Sequence, residues 1–295
     1  MTNQYHKDLG NVGMVMDAKW TDLNGDKKED LVVATEWGPI VGFIQEGKEF
    51  RKVTLTEEHG LWGMLQPIDF DKDGDIDFIA GNQGSNARFQ PSSKEPVNMY
   101  IYDFDQNKKQ ETVVTYFLDG QETIFPSKME LEKQIPGLKK KFLFAKDFAS
   151  ANVEQVLGAK SLAAANKKYI NNAANSLIIN KGNGQFYTVA LPWEAQLSPY
   201  KTATIIDVNN DGFEDVLIGA NYDDANVQLG RYDADFGTIL LNENGKGFRP
   251  ARTHNLPIKG QVRNIEPINI NGRKAYVLAK NNNPAQVISL DTTNK

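Results

Sequence analysis

The 295-residue sequence contains no cysteine and only three histidines. The absence of cysteine excludes disulfide frameworks, thiolate metal sites and cysteine nucleophiles, although it does not fix the compartment. No apolar run approaches the roughly 18 residues that a membrane-spanning helix needs, so we expect no transmembrane segment. The 33 lysines and arginines stand against 38 aspartates and glutamates without any basic block, which argues against nucleic acid as a partner.

Residues 1–10 are polar and lack the apolar stretch of a signal peptide. The chain is therefore either cytosolic, or a mature segment or excised piece of a longer exported protein, and the residues alone leave both readings open. With 40% hydrophobic and 24% charged residues, the sequence predicts a folded protein with a core rather than a disordered one.

An acidic loop between two apolar runs recurs along the chain. Clear copies occupy residues 22–30, 69–77 and 207–215, followed by the strand-like runs LVVA, FIAG and VLIGA. A weaker copy lies at 103–111, and a worn copy begins at Asn269. Since the motif is constant and its spacing uneven, we predict a repeated hairpin whose connections differ in length.

Three further segments, 40–55, 177–192 and 239–251, have the pattern of strand, glycine-rich turn and strand. Joined to the acidic hairpins, they predict an all-β fold of four-stranded antiparallel units. We expect a single β-propeller domain over residues 1–295, with five clear repeats and up to seven blades. A linear β-solenoid is the alternative architecture, but its repeats are shorter and more regular.

One stretch departs from the β pattern. Residues 127–175 are rich in alanine, leucine and lysine and have few hairpin signals, which predicts two or three short helices interrupted at Pro136 and Gly137. We expect a helical insertion within one blade, because about 50 residues could barely build a core of their own.

The acidic loops have the spacing of a metal site. Oxygens at positions 1, 3, 5 and 9 of a tight nine-residue loop converge on one hard cation, and glycine at position 6 permits the bend. Ca²⁺, which takes six to eight oxygens, fits this pattern better than Mg²⁺. An EF-hand is excluded, because its position 12 requires glutamate and these loops have Val33, Ala80 and Ile218 there.

We expect about three structural Ca²⁺ ions that neutralise the crowded carboxylates. The predicted ligands are Asp22, Asn24, Asp26, Asp30, Asp69, Asp71, Asp73, Asp77, Asp207, Asn209, Asp211 and Asp215. The loop at Asp103 departs from the pattern at Asn107, Lys108 and Glu111, which argues against a metal there. The alternative is that all these segments are merely acidic turns, since aspartate, asparagine and glycine are common turn formers.

The three clear loops, each followed by a strand, resemble the calcium-binding FG-GAP/VCBS repeats of the integrin α-subunit propeller and of many bacterial exported proteins. Segments 29–40, 75–86, 191–200 and 230–242 are similar to the C-terminal part of large FG-GAP/VCBS proteins of Gram-negative bacteria, which often carry an ASPIC/UnbV segment. The resemblance implies a propeller, bound Ca²⁺ and export to the periplasm or outer cell surface. It implies no particular activity.

Strand alternation places the acidic loops and glycine turns at one end of the sheets and the other connections at the opposite end. The opposite end collects aromatic rings beside polar residues, which suits stacking on sugar rings or gripping a peptide. The predicted ligand-binding residues are Trp37, Trp62, Trp193, Tyr222, Arg231, Tyr232 and Asp233. The alternative is that these aromatic side chains pack between blades.

No catalytic motif accompanies the histidines His59 and His254, which have neither a serine nucleophile motif nor HExxH spacing nearby. We therefore predict a non-catalytic, exported binding or scaffold module that recognises a glycan or a protein through the end opposite the calcium loops. The competing hypothesis is a calcium-dependent carbohydrate-active enzyme, a polysaccharide lyase or hydrolase, on the same scaffold.

Overall fold

A computed structural model describes residues 7–251, 256 and 258–290, and it is built mostly of antiparallel β-sheets. The chain divides into two compact units. The main unit comprises the described residues up to Arg88 and from Ala173 onward, and the inserted unit comprises Phe89–Asn172.

The strands within the described residues are β1 (Met14–Thr21), β2 (Asp30–Gly38), β3 (Val41–Glu46), β4 (Glu49–Thr54), β5 (Gly60–Leu61), β6 (Met64–Ile68), β7 (Asp77–Gly81), β8 (Val97–Tyr102), β9 (Glu111–Leu118), β10 (Gln121–Ile124), β11 (Asn166–Ile170), β12 (Ser176–Asn180), β13 (Phe186–Ala190), β14 (Tyr200–Ile206), β15 (Asp215–Ala220), β16 (Ile239–Asn242), β17 (Phe248–Pro250), β18 (Gln261–Ile270), β19 (Arg273–Asn281) and β20 (Gln286–Ile288). The α-helices are α1 (Lys128–Gln134), α2 (Leu138–Lys141), α3 (Ala145–Ala149), α4 (Val153–Leu157) and α5 (Ala159–Ala164). Across the described ranges, no helix has both the length and the apolarity to cross a membrane.

Three sheets of the main unit have four strands in sequential antiparallel order, as the sequence predicts. They are β1-β2-β3-β4 (with β5 pairing β2), β6-β7-β12-β13 and β14-β15-β16-β17. The last sheet, β18-β19-β20, has three strands within the described residues, and its first hairpin is closed by the two-residue turn Asn271-Gly272 rather than by an acidic loop. The predicted glycine turns join β3 to β4, β12 to β13 and β16 to β17.

The core of the main unit lies between successive sheets. Strand β6 packs against β1 and β14, and β14 packs against β18. Strands β7 and β15 are buried along their whole length, as expected for inner strands covered on both faces. One apolar cluster joins Phe78 to Val32, another joins Ile79 to Ile218, and a third joins Leu217 to Leu278. The burial of each such side chain stabilises the fold by about 1.5–3 kcal/mol.

The inserted unit is larger than the helical insertion predicted for 127–175, because it also contains the sheet β10-β9-β8-β11. Its returning strand β11 pairs with β8, so the order differs from that of the main-unit sheets. Helix α1 begins at a capping box formed by Ser127 and Glu130, and α4 begins at one formed by Asn152 and Gln155. The helices bury apolar side chains against the sheet, which gives this unit a core that helices alone would lack.

Candidate functional site

The four acidic loops share one backbone conformation. Counting the first aspartate as position 1, the residues at positions 4 and 6 have positive φ in every loop. The pairs are Gly25 and Lys27, Lys72 and Gly74, Gln106 and Lys108, and Asn210 and Gly212. The loops are therefore structurally equivalent, although only two of them have glycine at position 6. Lysine at that position adopts the same bend at a cost of about 1–2 kcal/mol.

The carboxylate at position 9 binds the start of its own loop. One oxygen of this side chain accepts a hydrogen bond from the backbone N–H of position 2. The pairs are Asp30 with Leu23 (3.0 Å), Asp77 with Phe70 (3.0 Å), Glu111 with Phe104 (2.7 Å) and Asp215 with Val208 (2.9 Å). The three aspartates are fully buried. Burial raises the pKa of Asp77 to about 6, and it also raises the pKa of Asp215.

The second oxygen of each position-9 aspartate accepts a backbone N–H from the third strand of the same sheet. The donors are Gln45 for Asp30 (2.7 Å), Asn180 for Asp77 (2.7 Å) and Asn242 for Asp215 (2.8 Å). Both oxygens of these aspartates are thus engaged by the backbone, whether or not they also contact an ion. Position 9 therefore has a structural task that the spacing of the motif did not reveal.

Loop 69–77 brings three carboxylates together. Oxygens of Asp69, Asp71 and Asp73 lie within 4.8 Å of one another. The Oδ1 atoms of Asp69 and Asp71 are buried and have no hydrogen-bond partner. The ammonium of Lys181 lies 3.1 Å from Asp71 Oδ2, and the acidic cluster raises the pKa of this lysine. Buried anionic oxygens without donors are costly, and a hard cation coordinated by them would remove that cost.

In loop 22–30 the first aspartate is engaged by its own loop. Asp22 Oδ1 accepts the N–H groups of Gly25 (2.8 Å) and Asp26 (3.0 Å), and Oδ2 accepts that of Lys27 (2.7 Å). Loop 207–215 is intermediate, with Asp207 Oδ2 accepting the N–H of Gly212 at 3.1 Å. The three loops predicted to bind metal therefore differ in how many backbone N–H groups already bind the carboxylate of their first aspartate.

The loop that the sequence argued against forms a second acidic cluster. Oxygens of Asp103, Asp105 and Glu111 lie within 4.8 Å of one another. Asn107 and Lys108 were the reasons to set this loop aside, yet Lys108 keeps the positive φ of position 6. Carboxylates at positions 1, 3 and 9, which this loop shares with loop 69–77, were the signal that could have identified this cluster.

The predicted aromatic ligand residues do not form one surface. Trp62 is fully buried in the core, so its ring supports the sheets and is not exposed to a ligand. Trp37 is half-buried with a positive φ of 58°, and Trp193 is 69% exposed in a short 3-10 turn. Arg231 and Asp233 are exposed. His59 is half-buried, and His254 lies outside the described residues.

Tyr222 and Tyr232 line a cleft of about 360 Å³ in the main unit. Their backbones exchange two hydrogen bonds (2.8 and 3.0 Å), which hold the long connection after β15 in place. The hydroxyl of Tyr232 accepts a hydrogen bond from Gln83 Nε2 at 2.6 Å, and burial raises the pKa of Tyr232. The other lining residues are Met16, Glu36, Leu61, Asn82, Gln83, Pro199, Lys201, Asp224, Ala225, Asn226 and Leu229.

The cleft lies at the opposite end of the sheets from the acidic loops. Its residues belong to the starts of β1 and β14, the ends of β2 and β7 and the connection after β15. Acidic loops follow the other ends of β1, β6 and β14. Lys201 lines the cleft, and burial lowers the pKa of Lys201; the charge of Glu36 opposes this shift, and that of Arg263 adds to it.

Comparison with known protein families identifies one repeat within the main unit. Residues 22–80 match the family described as FG-GAP-like repeat. The chain contains an FG-GAP-like repeat. The matched FG-GAP-like segment begins at the first acidic loop, includes β2–β6, and ends in β7 just after the second acidic loop. No curated protein matches the chain.

Proposed function

We propose that the chain is a non-catalytic, calcium-stabilised binding module that recognises a glycan or a protein through the cleft end of its sheets. The observation that carries this proposal is the separation of two features. Charged loops occupy one end of the sheets, whereas a cleft with tyrosine rings and polar side chains lies at the other end. Clefts of this size and composition suit ligands with both polar and apolar parts.

Ca²⁺ is the cation that we propose for the acidic loops. Asp69, Asp71 and Asp73 would hold it in loop 69–77, with Asp77 fixing the loop to the sheet. Carboxylate oxygens are the ligands that a hard divalent cation prefers, and the ion would supply the positive charge that this crowded loop needs. Loops 22–30 and 207–215 are weaker candidates because their first aspartates already accept backbone N–H groups.

The main-unit sheets are, in this proposal, blades of a β-propeller with up to seven blades in all. Support comes from side-chain amides that link two of these sheets to the sheet before them. Asn180 Nδ2 donates to Leu23 O at 3.1 Å, and Asn242 Nδ2 donates to Phe70 O at 2.9 Å. In both cases the third strand of one sheet binds position 2 of the previous acidic loop. The repetition of this link is what successive blades of one array would require.

We further propose that the module is exported to the periplasm or outer surface of a Gram-negative bacterium, as part of a VCBS-type protein. The FG-GAP-like repeat at residues 22–80 supports this assignment. Extracellular calcium modules typically bind with dissociation constants of about 10⁻⁴–10⁻³ M, and partly satisfied loops suit that range. Thermal melts in calcium and in EDTA test the role of the ion: we expect a higher midpoint in calcium, and superimposed curves would contradict it.

Retention on immobilised polysaccharides and proteins tests the binding function. We expect Tyr222→Ala to lose retention, because its half-buried ring lines the cleft. Tyr187→Ala is the matched control, since Tyr187 is exposed on strand β13 and does not line the cleft. Equal retention of both variants would contradict the proposal. Release of shortened or unsaturated saccharides would instead favour the competing hypothesis of a polysaccharide hydrolase or lyase.

A further inference from the structure

Two cations converge on one ring at the edge of the cleft. The nitrogen Nζ of Lys201 lies 5.4 Å from the centre of the Tyr222 ring, and Arg263 Cζ lies 5.8 Å from it. Among the described residues, neither cation has a carboxylate oxygen within 4.0 Å, since the ion pairs join other side chains. Arg263 donates to Asn221 O at 3.0 Å and to Gln261 Oε1, which are neutral acceptors. No carboxylate therefore pairs directly with either cation, and the charge of Glu36 acts on Lys201 only from a greater distance.

Lys201 borders two cavities. A second cavity of about 400 Å³ is bordered by the first strands of the four main-unit sheets, β1, β6, β14 and β18. Lys201 lines both this cavity and the cleft, whereas Arg263 lines the second cavity. An anionic group placed at the junction could therefore reach both cations, and charged donors bind carboxylate, sulfate and phosphate groups strongly.

The rest of the cleft presents hydrogen-bond acceptors. Gln83 is only 8% exposed, and its Oε1 has no hydrogen-bond partner, while its Nε2 donates to Tyr232. Glu36 and Asp224 also line the cleft and carry acceptor oxygens. A buried acceptor without a donor is costly, so this side of the cleft favours a ligand that supplies hydroxyl groups.

We propose that the cleft binds a sugar acid whose acidic group lies at Lys201 and Arg263. A hydroxyl group of the same sugar donates a hydrogen bond to Gln83 Oε1. This inference rests on the proposed binding function and names the ligand class of the same site. The acidic group is a carboxylate, sulfate or phosphate, because all three offer oxygens to a pair of cations. The ring of Tyr222 and the apolar side chains of Leu61 and Pro199 flank the space for the sugar ring.

Calorimetric titration of the full chain tests the ligand class. The probes are glucose, glucuronate, glucose 6-sulfate and glucose 6-phosphate, which share one ring and differ in the acidic group. We expect at least one acid to bind about tenfold more tightly than glucose, equivalent to about 1.4 kcal/mol, and the ranking of the acids identifies the group. Equal affinity for all four sugars, or no binding of any of them, would overturn the inference.

Variants assign the effect to the cations. Lys201→Met should reduce the affinity for the preferred acid to about the wild-type affinity for glucose. Lys274→Met is the matched control, because it removes a lysine that lies 5.7 Å from the Tyr276 ring centre outside the cleft, and it should preserve the acid preference. If Lys201→Met does not fold, Arg263→Gln carries the same expectation.

The same measurements separate this inference from the proposed function. If Tyr222→Ala abolishes retention of a glycan while acids and glucose bind alike, the sugar-acid inference fails and the binding function stands. An acid preference that survives both Lys201→Met and Arg263→Gln also overturns the inference. If Tyr222→Ala and Tyr187→Ala are retained equally, the binding function itself fails.

Discussion

Loops 22–30 and 69–77 have the same backbone bends and nearly the same acidic spacing, yet their carboxylates are in different states. Asp22 accepts three N–H groups of its own loop, whereas Asp69 and Asp71 each have a buried oxygen without a donor. The motif alone therefore does not determine which loop needs a cation.

The surroundings of the two loops explain the difference. The N–H of Asp69 donates to Glu214 of loop 207–215 at 3.1 Å, and a Cβ at Gly245 would approach Asp71 Cα to 2.8 Å. The following sheet thus covers Asp69 and Asp71 and shields their Oδ1 atoms from water, while residues 72–74 of the loop stay exposed. Residues 24–29 of the first loop are exposed. A cation should therefore stabilise loop 69–77, where carboxylate oxygens are buried without donors. Loop 22–30 needs it less, because its carboxylates have backbone or water donors.

The largest effect that we expect concerns position 9, where the two loops are alike. Asp77→Ala and Asp30→Ala each leave two buried N–H groups without acceptors, so each should lower the free energy of unfolding by about 4 kcal/mol. Chemical denaturation in EDTA measures this loss without calcium. Glu29→Ala, an exposed neighbour, should change stability by less than about 0.5 kcal/mol. If only one of the two substitutions lowers the free energy of unfolding, position 9 does not have the same structural role in the two loops.

A smaller effect should come from the link between the sheets that carry these loops. Asn180→Ala removes the donors to Leu23 O and Ile76 O and the acceptor for the Gly182 N–H, and should cost about 2–3 kcal/mol. Gln45 occupies the same third-strand position in the first sheet, where its amide makes only a 3.5 Å contact with Gly47 O. Gln45→Ala should therefore cost much less, and equal losses in denaturant melts would refute the link.

Glycine at position 6 should stabilise the first loop. Lys27→Gly relieves the positive φ of 65° and should add about 0.5–1 kcal/mol to the free energy of unfolding. Lys28→Gly is the control, because its φ is not positive and the substitution removes the 2.9 Å ion pair with Asp26. If both substitutions destabilise the protein equally in thermal melts, lysine is not strained at this position.

The smallest effect concerns pH and a buried carboxylate remote from the crowded loops. Asp235 accepts hydrogen bonds from Gly237 N and Thr238 Oγ1, and burial raises the pKa of Asp235 above its ordinary value of 3.8. A raised folded-state pKa gives stability that is present below 3.8 and lost as pH rises through the folded value.

Asp235→Asn mimics the protonated form and should remove this part of the pH dependence. The wild type should therefore lose stability relative to the variant as the pH is raised from about 4. Denaturant melts of both proteins across this range provide the comparison. If the stabilities of the two proteins change with pH in parallel, the pKa of Asp235 is the same in the folded and unfolded states.

Local patterns were enough to predict much of the fold. The acidic hairpins, the glycine turns and the sequential order of three sheets all depend on residues close in sequence. The outer limits of the inserted unit were not predictable in this way. Its strand β11 pairs with β8, although all five helices lie between these strands in the sequence.

The site was less predictable because its decisive contacts join distant residues. Asp77 and its donor Asn180 are 103 residues apart, so the task of position 9 was hidden in the loop pattern. The burial of Trp62 depends on neighbouring sheets, and an isolated tryptophan near a loop has no sequence feature that distinguishes core from surface. Tyr222 and Tyr232 were predicted, but their partners Gln83 and Lys201 were not.

A calorimetric calcium titration of the wild type, Asp69→Asn and Asp22→Asn tests the central claim most directly. We expect the tightest binding event to disappear in Asp69→Asn and to persist in Asp22→Asn, because only the enclosed loop has buried oxygens without donors. At calcium concentrations about 100 times the dissociation constant, that event should contribute about 2.7 kcal/mol of stability. The account is contradicted if Asp22→Asn abolishes the tightest event while Asp69→Asn retains it.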